Sequence, residues 1–167
     1  MSEDERSAFS VSYTTRKKRP YEEEGRHYHF VSEAVFRDMI EKGLFAEWEV
    51  VHGDLYGTPR RNIERVKKEG IDLFLDVDVN GALKIKRVCH GAVLIFVLPP
   101  SKEELLKRLE GRGERELDRR LMRYEEEVEK RDHFDYTIVN KDLEDAYREF
   151  KKIIQSVRRK MDGEDHR

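Results

Sequence analysis

The 167-residue sequence has one cysteine, Cys89, and no apolar run near the roughly 20 residues that a membrane span requires. A single cysteine excludes a disulfide framework within the chain and is typical of a reducing compartment. Lysine and arginine number 34 against 36 aspartates and glutamates, which gives a net charge of −2. Without a basic excess or a signal peptide, we predict a cytoplasmic protein with no nucleic-acid partner and no membrane partner.

Alternating residues and turn formers predict short strands in the first part of the chain. Segment 9–14 alternates apolar with polar residues and predicts a single half-buried strand. Segment 28–31 predicts a shorter strand. Segment 44–57 predicts a β-hairpin that turns at Gly53–Asp54.

Two helices in the same region are indicated by their capping residues. Ser32 is the expected N-cap of a helix that stops at Gly43. Thr58 is the expected N-cap of a second helix, with Pro59 in the first helical position and Gly70 at the end. The chain therefore begins with a small mixed region of strands and helices.

Longer apolar runs follow. Segments 71–79, 92–100 and 135–140 are nearly continuous apolar runs, typical of strands buried on both faces of a parallel sheet. Segment 80–91 predicts a crossover helix, and Ser101 with Glu104 forms a capping box at the start of another helix. The last helix has an apolar face that is expected to be core: Leu143, Ala146, Tyr147, Phe150, Ile153, Ile154 and Val157. Strands alternating with helices predict an α/β fold.

Two aspartates, Asp76 and Asp78, interrupt the most hydrophobic of these runs. In a strand both point to the same side, and ligands of open α/β sheets bind at the carboxyl ends of parallel strands. A carboxylate pair in a buried run is costly without a cation or donor, which favours a binding role. The alternative is that both lie past the strand end as solvated or helix-capping residues.

Clustered cations occur in two places. The run Arg16–Arg19 fits a phosphate site with Ser12 and two nearby tyrosines, and the alternative is a nuclear-localisation or nucleic-acid patch. Glu22–Glu24 follow directly and weaken the case for a polyanion-binding arm. Farther along, Arg108 and Arg112 are spaced to share a helix face. That stretch is either a salt-bridged surface helix or a movable arm over a polyphosphate.

The motifs together resemble guanylate kinase of the bacterial type, over nearly the whole chain from Phe9. They occur in the order SVSYTTRKKRP, GRHYHFVS, FAEWEVVHGDLYGT, FLDVDVNGA, LPPS, LKRLEGRG, RRL and IVN. The resemblance implies a P-loop nucleoside-monophosphate-kinase-like parallel sheet with helices, a small mixed β/α GMP-binding insertion and a helical lid. One domain is expected, with the GMP-binding part at about 9–70, the core at about 71–100 and 134–161, and the lid at about 101–133.

The resemblance also implies how GMP is bound. The phosphate is expected to contact Ser12, Arg16, Arg19, Tyr28 and Tyr56. The guanine base is expected to contact Glu47, assisted by Thr58 and Asp78. A carboxylate can accept from both the ring N–H and the exocyclic amine of guanine. Adenine offers no such donor pair, so an unpaired buried acceptor would reject it.

The implied reaction is phosphoryl transfer from ATP to GMP, which gives ADP and GDP and recycles purine nucleotides. The implied catalytic residues are Arg16, Arg108 and Arg120, and the implied ATP contacts are Arg108, Arg112 and Asn140. Asp76 corresponds to a residue near Mg²⁺, acting through water. No general base is required, because the second pKa of a phosphate monoester is about 6 and the attacking oxygen is already ionised.

The sequence contains no G-x-x-x-x-G-K-[ST] motif, and its first glycine is Gly25. In guanylate kinases a strand, a P-loop and a helix precede the segment that matches SVSYTTR. Three hypotheses follow: a kinase whose recorded chain starts late, a non-catalytic module that binds GMP or a phosphorylated partner, and a protein whose P-loop comes from another polypeptide. We expect little kinase activity from these 167 residues alone. The sequence does not indicate an oligomeric state.

Overall fold

The computed structural model describes residues 6–111 and 116–164, and the chain divides into two compact units, one ending at Ala92 and the other beginning at Val93. The strands are β1 (Ser7–Phe9), β2 (Tyr13–Thr14), β3 (His29–Phe30), β4 (Phe45–Val51), β5 (Asp54–Pro59), β6 (Asp72–Phe74), β7 (Ile95–Leu98) and β8 (Tyr136–Val139). The α-helices are α1 (Glu33–Glu41), α2 (Arg60–Glu69), α3 (Val79–Val88), α4 (Lys102–Gly111), α5 (Leu117–Glu129) and α6 (Leu143–Glu164).

The first unit contains two sheets. One has the strand order β3-β2-β5-β4, in which β2 and β3 are parallel and both other neighbouring pairs are antiparallel. The other joins β1 and β6 in parallel, with Phe9 opposite Phe74. Helix α3 packs against β4, and α2 contacts β4, β5 and β6. Parallel and antiparallel strand pairs thus coexist in this unit.

The prediction of a single strand over residues 9–14 is wrong. Strand β1 ends at Phe9 and β2 begins at Tyr13, in a different sheet. The buried side chains of the segment are polar, with Ser10 at 2% and Thr14 at 0% exposure, whereas Phe9 is 49% exposed. Both hydroxyl oxygens accept hydrogen bonds within the unit, and this removes most of the cost of burying them.

The apolar core of the first unit is built on aromatic stacking. Phe36 and Phe45 stack with ring centroids 4.5 Å apart, and Leu55 completes the buried cluster. The half-buried residues packed against it are Tyr13, Val31, Met39 and Ile40. Ser32 caps α1 as predicted, because its hydroxyl oxygen accepts from the backbone N–H of Val35 at 3.3 Å. This core fixes α1 to the β4–β5 hairpin.

The hairpin turn and the start of α2 each differ by one residue from the prediction. Val51 pairs with Asp54, so the turn residues are His52 and Gly53, whose φ angles of 52° and 89° fit a tight hairpin turn. Helix α2 begins at Arg60 with no side-chain cap. The prediction that Thr58 caps it is wrong, since that hydroxyl donates to a buried carboxylate, as described below.

The second unit contains a two-stranded parallel sheet and three helices among its described residues. β7 and β8 pair from Ile95–Tyr136 to Leu98–Val139, α4 packs on α5, and α6 packs on β8. Ser101 accepts from the backbone N–H of Glu104 at 3.2 Å, which confirms this half of the capping box. The prediction that the whole apolar face of α6 is core is wrong for its first turns. Ile153 is buried, but Leu143 is 74% exposed and Tyr147 is 41% exposed.

Within residues 6–111 and 116–164, none of the helices combines the length and apolar character needed to cross a membrane.

The strands and helices follow the predicted alternation from residue 71 onward. The confirmed fold class is therefore α/β.

Gly57 of β5 offers a test of the core. A Cβ atom there would lie 2.7 Å from the ring of Phe45 and 3.0 Å from that of Phe36. Because both rings are buried and stacked, Gly57→Ala should lower the free energy of unfolding by about 1–3 kcal/mol through overpacking. Urea denaturation measures this loss.

The matched control is Gly91→Ala, since an added Cβ at Gly91 meets no atom within 4 Å. Equal stability of the two variants would contradict the packing described for Phe36 and Phe45.

Candidate nucleotide-binding site

Strand β5 carries two of the predicted site residues, Tyr56 and Thr58, which point to the same side of the sheet because they are two residues apart. At about 3.4 Å per residue their Cα atoms are about 7 Å apart. The register with β4 sets Glu49 opposite Tyr56 and Glu47 opposite Thr58. A cluster of site residues forms around each of these two positions.

Arg16 is held firmly at the Tyr56 end. Its Nε donates to the Tyr56 hydroxyl at 3.1 Å, and its terminal nitrogens donate to the carboxylate of Glu22 at 3.1 and 2.6 Å. Glu22 is only 6% exposed, and such forked pairing gives both strength and a fixed geometry. The hydrogen bonds that Arg16 donates to Glu22 raise the pKa of Arg16 above its usual range and lower the pKa of Glu22. Both groups are therefore charged at neutral pH.

Two tyrosines complete this cluster. The Arg16 guanidinium carbon lies 5.5 Å from the centre of the Tyr28 ring, and the rings of Tyr28 and Tyr56 meet edge to face at 5.8 Å. Burial, and after it the negative charge of Asp76, raises the pKa of Tyr28, so its hydroxyl stays protonated and can donate. Because the Tyr56 hydroxyl oxygen accepts from Arg16, its proton is available to another acceptor. The cluster therefore offers several donors to an anion.

The backbone after Arg16 turns back onto Glu22. The backbone N–H of Arg19 donates to the Glu22 carboxylate at 2.7 Å, and the N–H of Glu22 donates to the Arg19 carbonyl at 3.0 Å. The Arg19 side chain is exposed, and its guanidinium donates to the Tyr21 hydroxyl at 2.9 Å. The cationic run thus forms a closed loop, which we call the Arg16–Glu22 loop, organised around one buried carboxylate.

A cavity of about 180 Å³ opens beside Tyr28. Its lining residues are Phe9, Ser10, Ser12, Arg26, His27, Tyr28 and Asp76. Ser12, a predicted phosphate contact, is 7% exposed. Arg26 forms an exposed ion pair with Glu23 at 3.1 Å, and the Nδ1 atom of His27 accepts from the backbone N–H of Glu23 at 2.9 Å. The cavity therefore joins hydroxyl, cationic and carboxylate groups.

Glu47 and Thr58 form the cluster at the other end of β5. The Thr58 hydroxyl donates to Oε1 of Glu47 at 2.5 Å, and the two residues are 0% and 8% exposed respectively. Burial is the largest effect on Glu47 and raises its pKa; the hydrogen bond from Thr58 opposes the rise, and the charge of Asp78 adds to it. Glu47 is therefore a desolvated acceptor with one oxygen already oriented.

Asp78 is the N-cap of α3, and its Oδ1 accepts from the backbone N–H of Gly81 at 2.9 Å. Asp78 and Asp76 both follow β6, which ends at Phe74, so the period-two argument for their common side is wrong. The helix-capping alternative describes Asp78. Asp78 also lies close enough to Glu47 for its negative charge to raise the pKa of Glu47.

Asp76 is exposed and lines the cavity, although nearby protein atoms desolvate its carboxyl group and raise its pKa. Within the described part of the chain, no group of three or more His, Cys, Asp or Glu side chains could enclose a metal ion. Mg²⁺ commonly takes one or two carboxylates and completes its octahedron with water and substrate phosphates. The single carboxylate of Asp76 fits that kind of site.

The residues predicted to contact ATP lie in the second unit. Arg108 of α4 donates to Glu104 at 2.9 Å and to the carbonyl of Lys141 at 3.3 Å, next to Asn140 at the end of β8. Arg120 lies on α5. Arg112 lies outside the described residues. Arg108 and Asn140 are thus neighbours.

The model of the guanylate kinase family matches residues 1–157 of the chain. A guanylate kinase of Syntrophotalea carbinolica is 46% identical over 148 residues, which are 87% of this chain and 70% of that protein. A guanylate kinase of Thermotoga maritima is 46% identical over 156 residues, or 92% of this chain and 75% of the relative. The crystal structure of guanylate kinase from Anaplasma phagocytophilum covers 91% of this chain and 76% of its own, with a TM-score of 0.80 and 34% identity.

The chain belongs to the guanylate kinase family. The resemblance drawn from the ordered motifs is therefore confirmed, and so is its implication that the family is one of nucleotide-binding kinases. The α/β fold of this guanylate kinase family member is that of the solved relative.

Glu22 is a residue of the candidate site that the sequence analysis does not predict. The acidic run Glu22–Glu24 was interpreted by its net charge, whereas only Glu22 is buried and its two neighbours are exposed. The available signal was a carboxylate six residues after Arg16, within reach across a tight loop. Arg26 and His27, which line the cavity, were also not predicted.

The Arg16–Glu22 pair can be tested by Glu22→Gln. The substitution keeps the size of the side chain but removes the charge that neutralises a mostly buried guanidinium, so the free energy of unfolding should fall by about 1.5–3 kcal/mol. Urea denaturation at pH 7 measures the loss.

The matched control is Glu33→Gln. Glu33 pairs with Arg37 at the same 2.6 Å, but both side chains are more than 60% exposed. That variant should change stability by less than about 1 kcal/mol. Similar losses of unfolding free energy in the two variants would mean that the burial of Glu22 does not strengthen its contribution to stability.

A second prediction concerns the ionisation of Glu47. Its pKa is raised above the usual 4.5, and only the carboxylate accepts two donors. Guanosine affinity should therefore be constant near pH 7.5 and fall as the pH is lowered. The fall should begin at a higher pH than it would for a glutamate with an ordinary pKa. Guanosine is used because it has no phosphate group to titrate.

Calorimetry between pH 7.5 and 5 measures this profile. Glu47→Gln should bind guanosine more weakly with no such fall, and a profile in the wild type as flat as that of the variant would contradict the role of Glu47.

Proposed function

We propose that this chain binds GMP in its first unit and functions as a guanylate kinase, which transfers the γ-phosphoryl group of ATP to GMP. One observation carries the proposal: β5 directs Tyr56 to the charged Arg16–Glu22 pair and Thr58 to the buried carboxylate of Glu47. The two clusters differ in polarity, cationic donors at one end and a carboxylate acceptor at the other. GMP has the matching polarity, with an anionic phosphate and a base edge that donates hydrogen bonds.

At the phosphate end, Arg16 is the fixed cation, because its Nε and both terminal nitrogens are already oriented by Tyr56 and Glu22. The proposed partners around it are Ser12, Arg19, Tyr28 and Tyr56. Arg19 is exposed, and its side chain donates to the exposed Tyr21 hydroxyl, so it can turn towards a phosphate without unpairing a buried charge. Hydroxyl and guanidinium donors of this kind bind phosphate oxygens in a defined direction.

At the base end, Glu47 would accept from the ring N–H and from the exocyclic amine of guanine. Thr58 holds one carboxylate oxygen, and Asp78 supplies an additional acceptor. Adenine presents a ring acceptor instead of a donor on that edge, so it would leave the carboxylate unpaired. Unpaired buried polar groups produce strong discrimination.

In the proposed reaction an ionised phosphate oxygen of GMP attacks the γ-phosphorus of ATP. The bond from that phosphorus to the β–γ bridging oxygen breaks, and ADP leaves with the electron pair. Arg16 would hold the attacking phosphate, and Arg108, Arg112 and Arg120 would neutralise charge on the transferred group, with Asn140 against adenine. Mg²⁺, when bound with the nucleotide near Asp76, supplies charge neutralisation of the phosphates. Such a reaction of free nucleotides is expected in the cytoplasm.

The second candidate is a non-catalytic module that binds GMP or a phosphorylated partner. The observation that favours it is that every GMP contact proposed here lies between Ser12 and Asp78, within the first unit. Binding of GMP therefore supports both candidates, and phosphoryl transfer separates them.

Binding is tested by calorimetry with GMP, guanosine and AMP. We expect the wild type to prefer GMP over AMP, and Glu47→Gln to lose roughly 1.5–3 kcal/mol of GMP binding. Arg19→Ala should weaken GMP and leave guanosine unchanged, whereas Lys18→Ala, the adjacent exposed cation, should change neither. No preference for GMP over AMP in the wild type would overturn the kinase and the GMP-binding form of the module.

Transfer is tested by measuring ADP and GDP formed from ATP and GMP, in preparations freed of host guanylate kinase. The 167-residue chain is assayed alone and fused to the strand–P-loop–helix segment of a relative. GDP formation by either protein supports the kinase. Tight GMP binding without transfer in both would favour the module.

A further inference from the structure

Helix α3 packs against strand β4, and two of its residues that contact this strand, Gly81 and Lys84, lie three positions apart and so share one helix face. Gly81 lies against the Glu47 carboxylate, and Lys84 reaches the next two residues of β4. None of the roles proposed above involves either residue. We call their contacts with β4 the α3–β4 junction.

Glycine is required at position 81 because the neighbouring carboxylates leave no room for a Cβ atom. A Cβ atom at this position would lie 2.9 Å from Oε2 of Glu47 and 2.9 Å from Oδ1 of Asp78. Its φ is not in the left-handed region, so the backbone does not require glycine. Glycine in a helix is less favourable than alanine, which means that the close carboxylates are the physical reason for glycine at this position.

The two oxygens of Glu47 have different neighbours. Oε1 accepts from Thr58 at 2.5 Å, and Oε2 lies over the bare Cα of Gly81. A methyl group at Gly81 would have to displace the Glu47 carboxylate or the capping carboxylate of Asp78. Neither is a freely moving surface group, because Glu47 is buried and Asp78 caps the helix.

Lys84 holds the helix to the strand on the other side of Glu47. Its Nζ donates to the carbonyl of Trp48 at 2.8 Å, pairs with the carboxylate of Glu49 at 2.8 Å, and lies 5.6 Å from the centre of the Trp48 ring. The positive charge of Lys84 also opposes the rise in the pKa of Glu47. The same contacts thus position the neighbouring backbone and favour the ionised carboxylate.

We propose that Gly81 and Lys84 are positioning residues that determine guanine selectivity, by holding α3 against β4 so that the Glu47 carboxylate keeps the orientation that accepts two donors. The inference rests on the proposed binding of GMP. It concerns the exocyclic amine of guanine in particular, because accepting from two neighbouring donors requires both carboxylate oxygens to lie close to the plane of the base.

The experiment compares affinities for GMP and IMP, which differ only in that amine. Binding is followed by the fluorescence of Trp48, the only tryptophan of the chain, and confirmed by calorimetry. We expect the wild type to prefer GMP, and Gly81→Ala to reduce the GMP-to-IMP affinity ratio by about tenfold, the lower range for one charged hydrogen bond. The ratio of GMP to guanosine affinity, which reports the phosphate end, should not change.

Gly91→Ala is the matched control, since an added Cβ there contacts nothing. Lys84→Met keeps most of the side-chain length but removes the charge, and it should also reduce the GMP-to-IMP ratio. Lys84→Arg should restore the ratio, because a guanidinium can still reach both oxygen acceptors. Lys84 is partly exposed, so these variants test the inference even if Gly81→Ala does not fold.

A wild type without preference for GMP over AMP or IMP would overturn the proposed function itself. A wild type that prefers GMP, with unchanged GMP-to-IMP ratios in the folded Gly81 and Lys84 variants, would overturn only the role of the junction. Equal weakening of GMP and IMP would also overturn it, since that result describes a structural effect with no reading of the amine.

Discussion

Among the described residues of the first unit, six polar or charged side chains are buried, and each of them needs a hydrogen-bond partner to offset its loss of water: Ser10, Ser12, Thr14, Glu22, Glu47 and Thr58. Among the described residues, no buried side-chain nitrogen or oxygen is left without a partner. The carboxylate of Glu22, for example, accepts from the Arg16 guanidinium and from the backbone N–H of Arg19. The Arg16–Glu22 loop, the β4–β5 hairpin and α3 are arranged so that these buried groups have hydrogen-bond partners. The candidate site lies where these three elements meet.

The same constraint explains why the site has two ends of opposite character. Arg16 is neutralised by Glu22 yet keeps Tyr56 and Tyr28 beside it, so an added phosphate meets oriented donors. Glu47 has Thr58 as a donor but no paired cation within hydrogen-bond distance among the described residues, so a base with two donors meets an acceptor whose desolvation has already occurred. Preorganised groups of this kind bind at a lower cost than groups that must first be ordered.

Much of this arrangement follows from local patterns. The helix α1 with its Ser32 cap, the β4–β5 hairpin and the α/β order after residue 71 are all set by neighbouring residues, and the sequence predicts them. The hairpin turn is displaced by one residue because positive φ angles at His52 and Gly53 suit the tight turn. The ordered motifs also indicated the family, since Arg16, Glu47 and Thr58 lie within motifs whose order along the chain resembles that of guanylate kinases.

What the sequence by itself determined is therefore the order of the strands and helices, the family and the identity of most candidate contacts. Only the tertiary structure decided which polar residues are inside: Glu22 and not Glu23, Ser10 and not Phe9. It also assigned the Thr58 hydroxyl to Glu47 instead of to the N-terminus of α2. The physical reason is that burial and pairing depend on partners distant in the chain, and spacing along one segment carries no information about them.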